Sequence, residues 1–228
     1  MASRPELVQL RSANKGIVTL VHRDLARFWG TLDLAKPQAA RDALLAFIPP
    51  LVTQYGDVAA TVSADFYDSL RLSDGVRGKF SAVMADGPSD DRVTQTVRYG
   101  AGHLFTDTPD KTTAFLEGAL SRLVLESGWD TIVESTRRDP QSSGWYRISG
   151  GGCSFCDGLA ARGAVYSESS VDFAAHNACQ CGCMPSWDPS RPEADVQQYE
   201  ASRRVSSMTD EEHADHNTAI RDWLSSGA

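Results

Sequence analysis

Residues 150–189, GGGCSFCDGLAARGAVYSESSVDFAAHNACQCGCMPSWDP, contain all five cysteines of the 228-residue chain and one of its five histidines. These side chains form the pattern C-x2-C, nineteen residues, then H-x2-C-x-C-x-C. Thiolates and imidazoles are the ligands that a tetrahedral Zn2+ prefers, and structural zinc sites combine two short ligand pairs. The stretch therefore predicts a structural Zn2+ site, and the metal is expected to hold this part of the fold together.

Six side chains compete for the four positions of such a site. The C-x2-C pair at the start of the stretch is expected to supply two of the four ligands. The other two ligands are expected to be His176 and either Cys179 or Cys181. Residues two apart in a strand point to the same face, so Cys181 could take the place of Cys179. The spacing leaves this choice open, and Cys183 is left out. The predicted metal ligands are Cys153, Cys156, His176, Cys179 and Cys181.

Three other uses of the cysteines agree less well with the sequence. Two disulfides would leave one of the five thiols over, and Met1–Pro5 shows no secretory signal, so a reducing cytoplasm is expected. Ordinary buried thiols would not cluster in this way after a long cysteine-free stretch. A catalytic cysteine needs a base and an orienting third group, and His176 near Cys179 supplies only the base. No catalytic residue is predicted.

The periodicity of apolar residues divides the chain into helical and mixed parts. Spacings of three and four predict helices over 4–32, from Pro37 to the Pro49-Pro50 pair, after that pair to about Leu72, over 90–104, and from Thr108 to about Arg138. Pro49-Pro50 is expected to break or kink the backbone between the second and third of these. Beyond Gln141 the period changes, and short strands are predicted at Trp145–Ser149, Ala164–Tyr166 and Ala178–Met184, with one or two helical turns over 157–162.

The predicted fold class is α+β and mostly α. It consists of a helical domain over 1–140, a Cys/His-rich zinc-binding α/β mini-domain over 141–190 and an acidic helical tail over 191–228. Thr209 with Glu212 is predicted to cap the second helix of this tail. An extended piece is also expected at Phe80–Met84, between the third and fourth helices.

The charge distribution argues against a nucleic-acid surface. The net charge is −8, and residues 191–228 account for −4 of it, with four arginines and no lysine against eight acidic residues. Affinity for nucleic acid comes mainly from Lys and Arg that neutralise phosphates, so the whole surface is a poor general DNA binder. No apolar run approaches the roughly 20 residues of a membrane span, and no membrane is expected as a partner.

Four features of the C-terminal half together resemble one known family. They are an aromatic-rich strand followed by glycines, a C-x-F-C pair, the run LAARGAVY and a terminal H-x2-C-x-C, found at Trp145–Ile148, Cys153–Cys156, Leu159–Tyr166 and His176–Cys181. In combination the region resembles the C-terminal part of phage Mu F-like minor capsid (head morphogenesis) proteins, in the form found in phages of actinobacteria. A looser likeness extends to Tyr55–Arg71. The chain departs from that family in its extra Cys183 and in a short, glycine-poor spacer before His176.

The resemblance implies a minor structural protein of a phage head. Such a protein would be made in the host cytoplasm and assembled in the capsid interior near the portal, where it would aid head morphogenesis or DNA delivery. Its partners would be the portal and/or major capsid protein of the same phage, with packaged DNA contacted at most indirectly. The Zn2+ would be structural, and no enzymatic activity is expected. A capsid maturation protease and a zinc-dependent protein-binding module are the alternatives.

Overall fold

The computed structural model describes residues 4–151, 154–167, 173, 175–179 and 181–194, together with nine separate positions between 208 and 222. Helices dominate this part of the chain, and the strands form one small antiparallel sheet, so the predicted α+β, mostly α class is confirmed. The helices are α1 (Pro5–Trp29), α2 (Pro37–Ser73), α3 (Asp90–Ala101), a 3-10 turn (Gly102–Phe105), α4 (Lys111–Arg138) and α5 (Ser154–Ala161), and the strands are β1 (Gly144–Ile148) and β2 (Gly182–Ser186).

Helix α4 is the centre of the fold. Helices α1, α2 and α3 and both strands pack against it, so it is buried around much of its circumference. The apolar stripe predicted for this helix is confirmed, because all six of its members are buried: Leu116, Leu120, Leu123, Val124, Ile132 and Val133. Its small residues let α2 approach closely, since a Cβ on Gly128 would lie 2.6 Å from Ser63 Oγ and 3.0 Å from the Ala59 carbonyl oxygen.

Two helix boundaries differ from the sequence prediction. Helix α2 continues through Pro49 and Pro50, so the predicted break is wrong. The prolines lie on the outer side of α2, half-buried and exposed respectively, while Ile48, Leu51 and Val52 beside them are buried. Core packing on both sides of the prolines outweighs the two lost backbone hydrogen bonds.

The predicted helix start at Thr108 is also wrong. Helix α4 begins at Lys111, with Asp110 as an N-cap that makes no side-chain capping bond. The preceding residues form tight turns instead, in which Lys111 N donates to the Thr108 carbonyl and Thr112 N to the Pro109 carbonyl. The C-terminal end of α4 at Arg138 is as predicted.

Residues 82–86, within the link between α2 and α3, run along α4 as an irregular segment that we call the strap. The predicted extended piece does not form a strand here. Three backbone amides of the strap donate hydrogen bonds to side chains. Ala82 N donates to Asp68 at 2.8 Å, Val83 N to Ser135 at 3.0 Å and Ala85 N to Thr131 at 3.1 Å. The position of the strap is therefore fixed by α2 and α4 rather than by a neighbouring strand.

Strands β1 and β2 pair in an antiparallel register with Tyr146 opposite Met184. The predicted second strand is reduced to single bridges, in which Tyr166 pairs with Trp145 and Val165 with Glu193. The predicted third strand begins at Gly182 rather than at Ala178, because Ala178 has φ of 57° and the backbone there turns instead of extending.

The helical part and the Cys-rich part share one buried core. Trp145, Cys183 and Met184 belong to the same apolar cluster as Trp129 and Ile132 of α4. The proposed domain boundaries at 140 and 190 fall between elements, but they stay predictions.

Most of the predicted tail lies outside the described residues. At its described positions the capping box is present, since Glu212 N donates to Thr209 Oγ1 at 3.3 Å and Thr209 N donates to Glu212 Oε2 at 2.7 Å. This local arrangement is the one that the Thr-x-x-Glu spacing predicts.

Among the described residues, one helix is long and apolar enough to cross a membrane, and it is α2. The apolar residues of α2 pack against α1, α3 and α4. The core of the fold therefore accounts for the composition of this helix.

Candidate metal centre

Three sulfur atoms meet next to the sheet. Cys156 projects from α5, and Cys179 and Cys181 lie just before β2. Their Sγ atoms are all within 4.8 Å of one another, and the three residues are 2%, 3% and 5% exposed. No disulfide joins any of the four cysteines that the structure describes. We refer to Cys156, Cys179 and Cys181 as the sulfur cluster.

His176 brings a ring nitrogen to this cluster. Its Nε2 lies 3.7 Å from Cys156 Sγ, and its Nδ1 lies 2.8 Å from the Asn177 carbonyl oxygen. A carbonyl oxygen can only accept a hydrogen bond, so the proton is assigned to Nδ1 and the lone pair to Nε2. Histidines that bind metals commonly have this second hydrogen bond, which fixes the tautomer and the ring orientation.

The distances fit a tetrahedral zinc ion. With Zn–S near 2.3 Å and Zn–N near 2.0–2.1 Å, two sulfurs of such a site are about 3.8 Å apart, and a sulfur and a nitrogen about 3.6 Å. The observed 3.7 Å between Cys156 Sγ and His176 Nε2 agrees with the sulfur–nitrogen value, and the three sulfurs lie within 4.8 Å of one another. The three sulfurs, with His176 beside one of them, therefore have a chemistry that suits Zn2+.

The structure brings together both residues that the sequence left as alternatives. Cys179 and Cys181 both belong to the sulfur cluster with Cys156, and His176 Nε2 lies beside Cys156. Cys153, the other cysteine of the C-x2-C pair, lies outside the described residues. The role of all five predicted residues as ligands stays a prediction.

The ligand turn 176–179 is held on the surface of α4. Cys179 N donates to the His176 carbonyl at 3.2 Å to close the turn, and Ala178 N donates to the Gly118 carbonyl at 3.0 Å. Arg122 Nε donates to Asn177 Oδ1 at 3.2 Å. Helix α4 thus positions the histidine and the first cysteine of the second ligand pair.

Sequence reasoning missed this docking. Gly118 and Arg122 lie in the middle of a long helix, more than fifty residues before the turn, and no motif marks them. A Cβ at position 118 would lie 3.4 Å from Asn177 Cβ, so a glycine fits where the turn comes closest. That contact becomes visible only once the turn and the helix are in place.

Cys183 has a different environment. It is 0% exposed, and its thiol donates to the Trp129 carbonyl oxygen at 3.6 Å, so it packs against α4. Burial raises the pKa of the Cys183 thiol well above its usual value, with the charge of Asp130 as a second cause. Cys183 is thus a neutral core residue, separate from the sulfur cluster.

Burial also raises the pKa of Cys179, and the nearby Cys181 contributes in the same direction through its charge. The Cys179 thiol is therefore protonated at neutral pH when no cation lies beside it. A divalent cation reverses this preference, because metal binding deprotonates a coordinating thiol. The cluster is thus suited to a divalent cation.

Taken together, the fold and the cluster define a mostly helical protein with a candidate structural metal centre of three cysteines and one histidine. The family model described as VG15 protein matches residues 1–203, and the chain belongs to this phage-associated family. No curated protein matches the chain, and no solved structure matches it. The chain is therefore a phage protein.

Proposed function

We propose that this protein is a minor structural component of a phage head, assembled in the capsid interior near the portal, where it aids head morphogenesis or DNA delivery. Membership of a phage-associated family supports a role in a phage. The observation that carries a structural rather than a catalytic role is the donor set. Three buried sulfurs dominate it, and with His176 as the fourth ligand they would fill the coordination of a tetrahedral zinc, whereas a catalytic zinc keeps one position open for water or substrate.

In this proposal the metal centre cross-links separate parts of the fold. A bound Zn2+ would link α5, through Cys156, to the ligand turn on α4 and to the start of β2. Residues 141–190 contain few large apolar side chains, and in the part of them that the structure describes the sheet has two strands. Small units of this kind commonly depend on a metal for stability, which supports an architectural role.

The partners that we propose are the portal and/or the major capsid protein of the same phage, with packaged DNA contacted only indirectly. The net charge of −8 supports protein partners over nucleic acid, because phosphate binding depends on Lys and Arg. The same preference for protein partners keeps a zinc-dependent protein-binding module as the second candidate.

Quantitative mass spectrometry of purified virions tests the first proposal. We expect the protein at low copy number, protected from added protease until the capsid is opened, and co-purifying with the portal from infected cells. Absence from virions would refute the assignment to the head.

A separate assay addresses the capsid maturation protease. The purified protein, loaded with zinc, is incubated with the major capsid protein of its phage, and the products are analysed by intact mass. We expect no cleavage. Specific cleavage that disappears when Cys156 or His176 is replaced would show an enzyme instead.

A further inference from the structure

A groove of about 630 Å3 lies along α4 on the same side as the strap. Its described lining comes from α4 between Glu126 and Arg138, from Met84 and Asp86, from Arg92 of α3 and from Phe173. The α4 part covers thirteen residues, and its ends are about 18 Å apart at a rise of 1.5 Å per residue. That length matches five or six residues of extended chain at about 3.3 Å each, and the volume is typical of ligand sites.

The described lining of the groove has an excess of negative charge. It contains four carboxylates and three guanidinium groups, and Glu126, Asp130 and Glu134 follow one another at i, i+4 and i+8 along the same face of α4. The guanidinium groups are already engaged with these acids. Arg92 pairs with Glu126, and Arg138 pairs with Glu134 at 2.6 Å. An incoming group of either sign would therefore have to compete with existing ion pairs, and the excess that favours a cation is one negative charge.

Apolar surface lies beside this charge. Met84 is 60% exposed although it is a large hydrophobic residue, and Val133 and Phe173 add further apolar lining. The Phe173 ring is held rigidly, since it packs on Trp129 with centroids 4.8 Å apart and has the Arg147 guanidinium 4.0 Å from its centroid. The groove thus offers an apolar contact at fixed positions next to an acidic row.

We propose that this groove binds an extended segment of another protein that carries a Lys or Arg next to an apolar side chain. The negative excess favours a cationic segment and disfavours both nucleic acid and the acidic tail of this chain, which carries −4. The proposal extends the assembly role proposed above by naming a docking surface and the chemistry of its partner.

The test uses the purified full-length protein and three labelled eight-residue peptides. The peptides alternate Leu with Arg, Leu with Glu, or Ser with Arg, and binding is followed by fluorescence anisotropy. We expect the Leu/Arg peptide to bind at least ten times more tightly than the other two. Its binding should weaken as salt is raised, because the charges at the groove are open to solvent.

A pair of double variants locates the binding. Met84→Glu with Asp86→Lys changes the groove through two exposed side chains that do not hold the strap, since the strap is fixed by its backbone amides. Leu72→Glu with Asp107→Lys makes the same chemical changes at exposed positions that do not line the groove. We expect the first variant to lose at least tenfold in affinity for the Leu/Arg peptide and the second to lose less than twofold.

Three results would overturn the proposal: no measurable binding of the Leu/Arg peptide, equal binding of the Leu/Glu peptide, or equal losses in the two double variants. The assay does not depend on whether the protein enters virions. Failure of the groove and failure of the head assignment can therefore be told apart.

Discussion

Arg71 donates a hydrogen bond from Nε to the carboxylate of Asp139 at 2.8 Å, although 68 positions separate the two residues in the chain. The Asp139 side chain is fully buried, and that of Arg71 is 8% exposed. The same carboxylate accepts from the Tyr67 hydroxyl at 3.1 Å and from Trp187 Nε1 at 3.0 Å. One acidic side chain thus connects the C-terminal ends of α2 and α4 to the residue that follows β2.

Replacing this carboxylate should destabilise the whole protein. Asp139→Asn removes the charge but leaves the Arg71 guanidinium buried, and breaking a buried pair in this way typically costs about 3–5 kcal/mol. We expect a loss of this size in the free energy of unfolding, measured by urea denaturation. Asp42→Asn, which removes an exposed partner of Arg41, should cost at most about 1 kcal/mol. Equal losses in the two variants would contradict the role given to Asp139.

The same residue predicts how stability depends on pH. Burial by itself raises the pKa of Asp139, but the hydrogen bonds from Arg71, Trp187, the Gln141 amide and Tyr67 outweigh it and lower the pKa below its ordinary value. The unfolded chain, with a carboxyl pKa near 3.9, then binds the proton more readily than the folded protein. This contribution to stability is present above about pH 4 and is lost as the pH falls through the lower, folded value.

Urea midpoints measured between pH 3 and pH 7 test this dependence. The wild-type protein should lose stability toward acid more steeply than Asp139→Asn, which has no carboxyl group at this position. Parallel curves for the two proteins would mean that Asp139 does not titrate as described.

Zinc content should distinguish the cysteines. Protein purified from zinc-supplemented medium without chelators is expected to carry one zinc per chain, measured by elemental analysis. Cys156→Ser, Cys179→Ser and Cys181→Ser should each lose it, because each removes one donor of the set. Cys183→Ala should keep it, since this thiol bonds to the Trp129 carbonyl instead. Zinc retained in all three serine variants would rule out the proposed ligands.

Two glycines in helices should respond in opposite directions to the same substitution. At Gly128 a Cβ would come within 2.6 Å of Ser63 Oγ, so Gly128→Ala should destabilise the protein despite the better helix propensity of alanine. At Gly16, an exposed position of α1, nothing lies within 4 Å of the added atom. Gly16→Ala should therefore raise the free energy of unfolding by up to about 1 kcal/mol. Thermal denaturation of both variants checks this prediction. Equal shifts in their melting temperatures would contradict the close packing of α2 on α4.

The ligand turn predicts a stabilising substitution. Ala178 has φ of 57°, a left-handed conformation that costs a residue with a Cβ roughly 1–2 kcal/mol. Ala178→Gly should relieve this and raise the melting temperature, whereas Ala178→Val should lower it. The metal content should stay at that of the wild type in Ala178→Gly, since the backbone bonds of the turn are retained. A lower melting temperature for the glycine variant would show that the turn is not strained.

Periodicity was enough to predict the core of the helical part. The stripe of α4 and the inward residues Val93 and Val97 of α3 are buried as their spacing predicts. It failed at Pro49-Pro50 because local propensity says nothing about the packing of Ile48 and Leu51 on either side. It also failed at Thr108, where the turns before α4 take the place of a capped first turn.

For the candidate site, spacing identified the residue types but not their arrangement. Period two placed Cys179 and Cys181 as alternatives, because it assumes a continuous strand. The left-handed Ala178 lies before this pair, and both thiols reach Cys156. The contact of Ala178 with Gly118 depends on tertiary structure alone, so no pattern in the sequence could have revealed it.

The packing of Cys183 on Trp129 has a consequence for synthesis. The face of α4 that contains Trp129 is completed only when β2 has left the ribosome, more than fifty residues later. Until then a nascent chain would carry this apolar surface uncovered, which is the kind of surface that chaperones recognise and that promotes aggregation. Truncated products that stop before Gly182 should therefore be poorly soluble, even though all four long helices have already been translated.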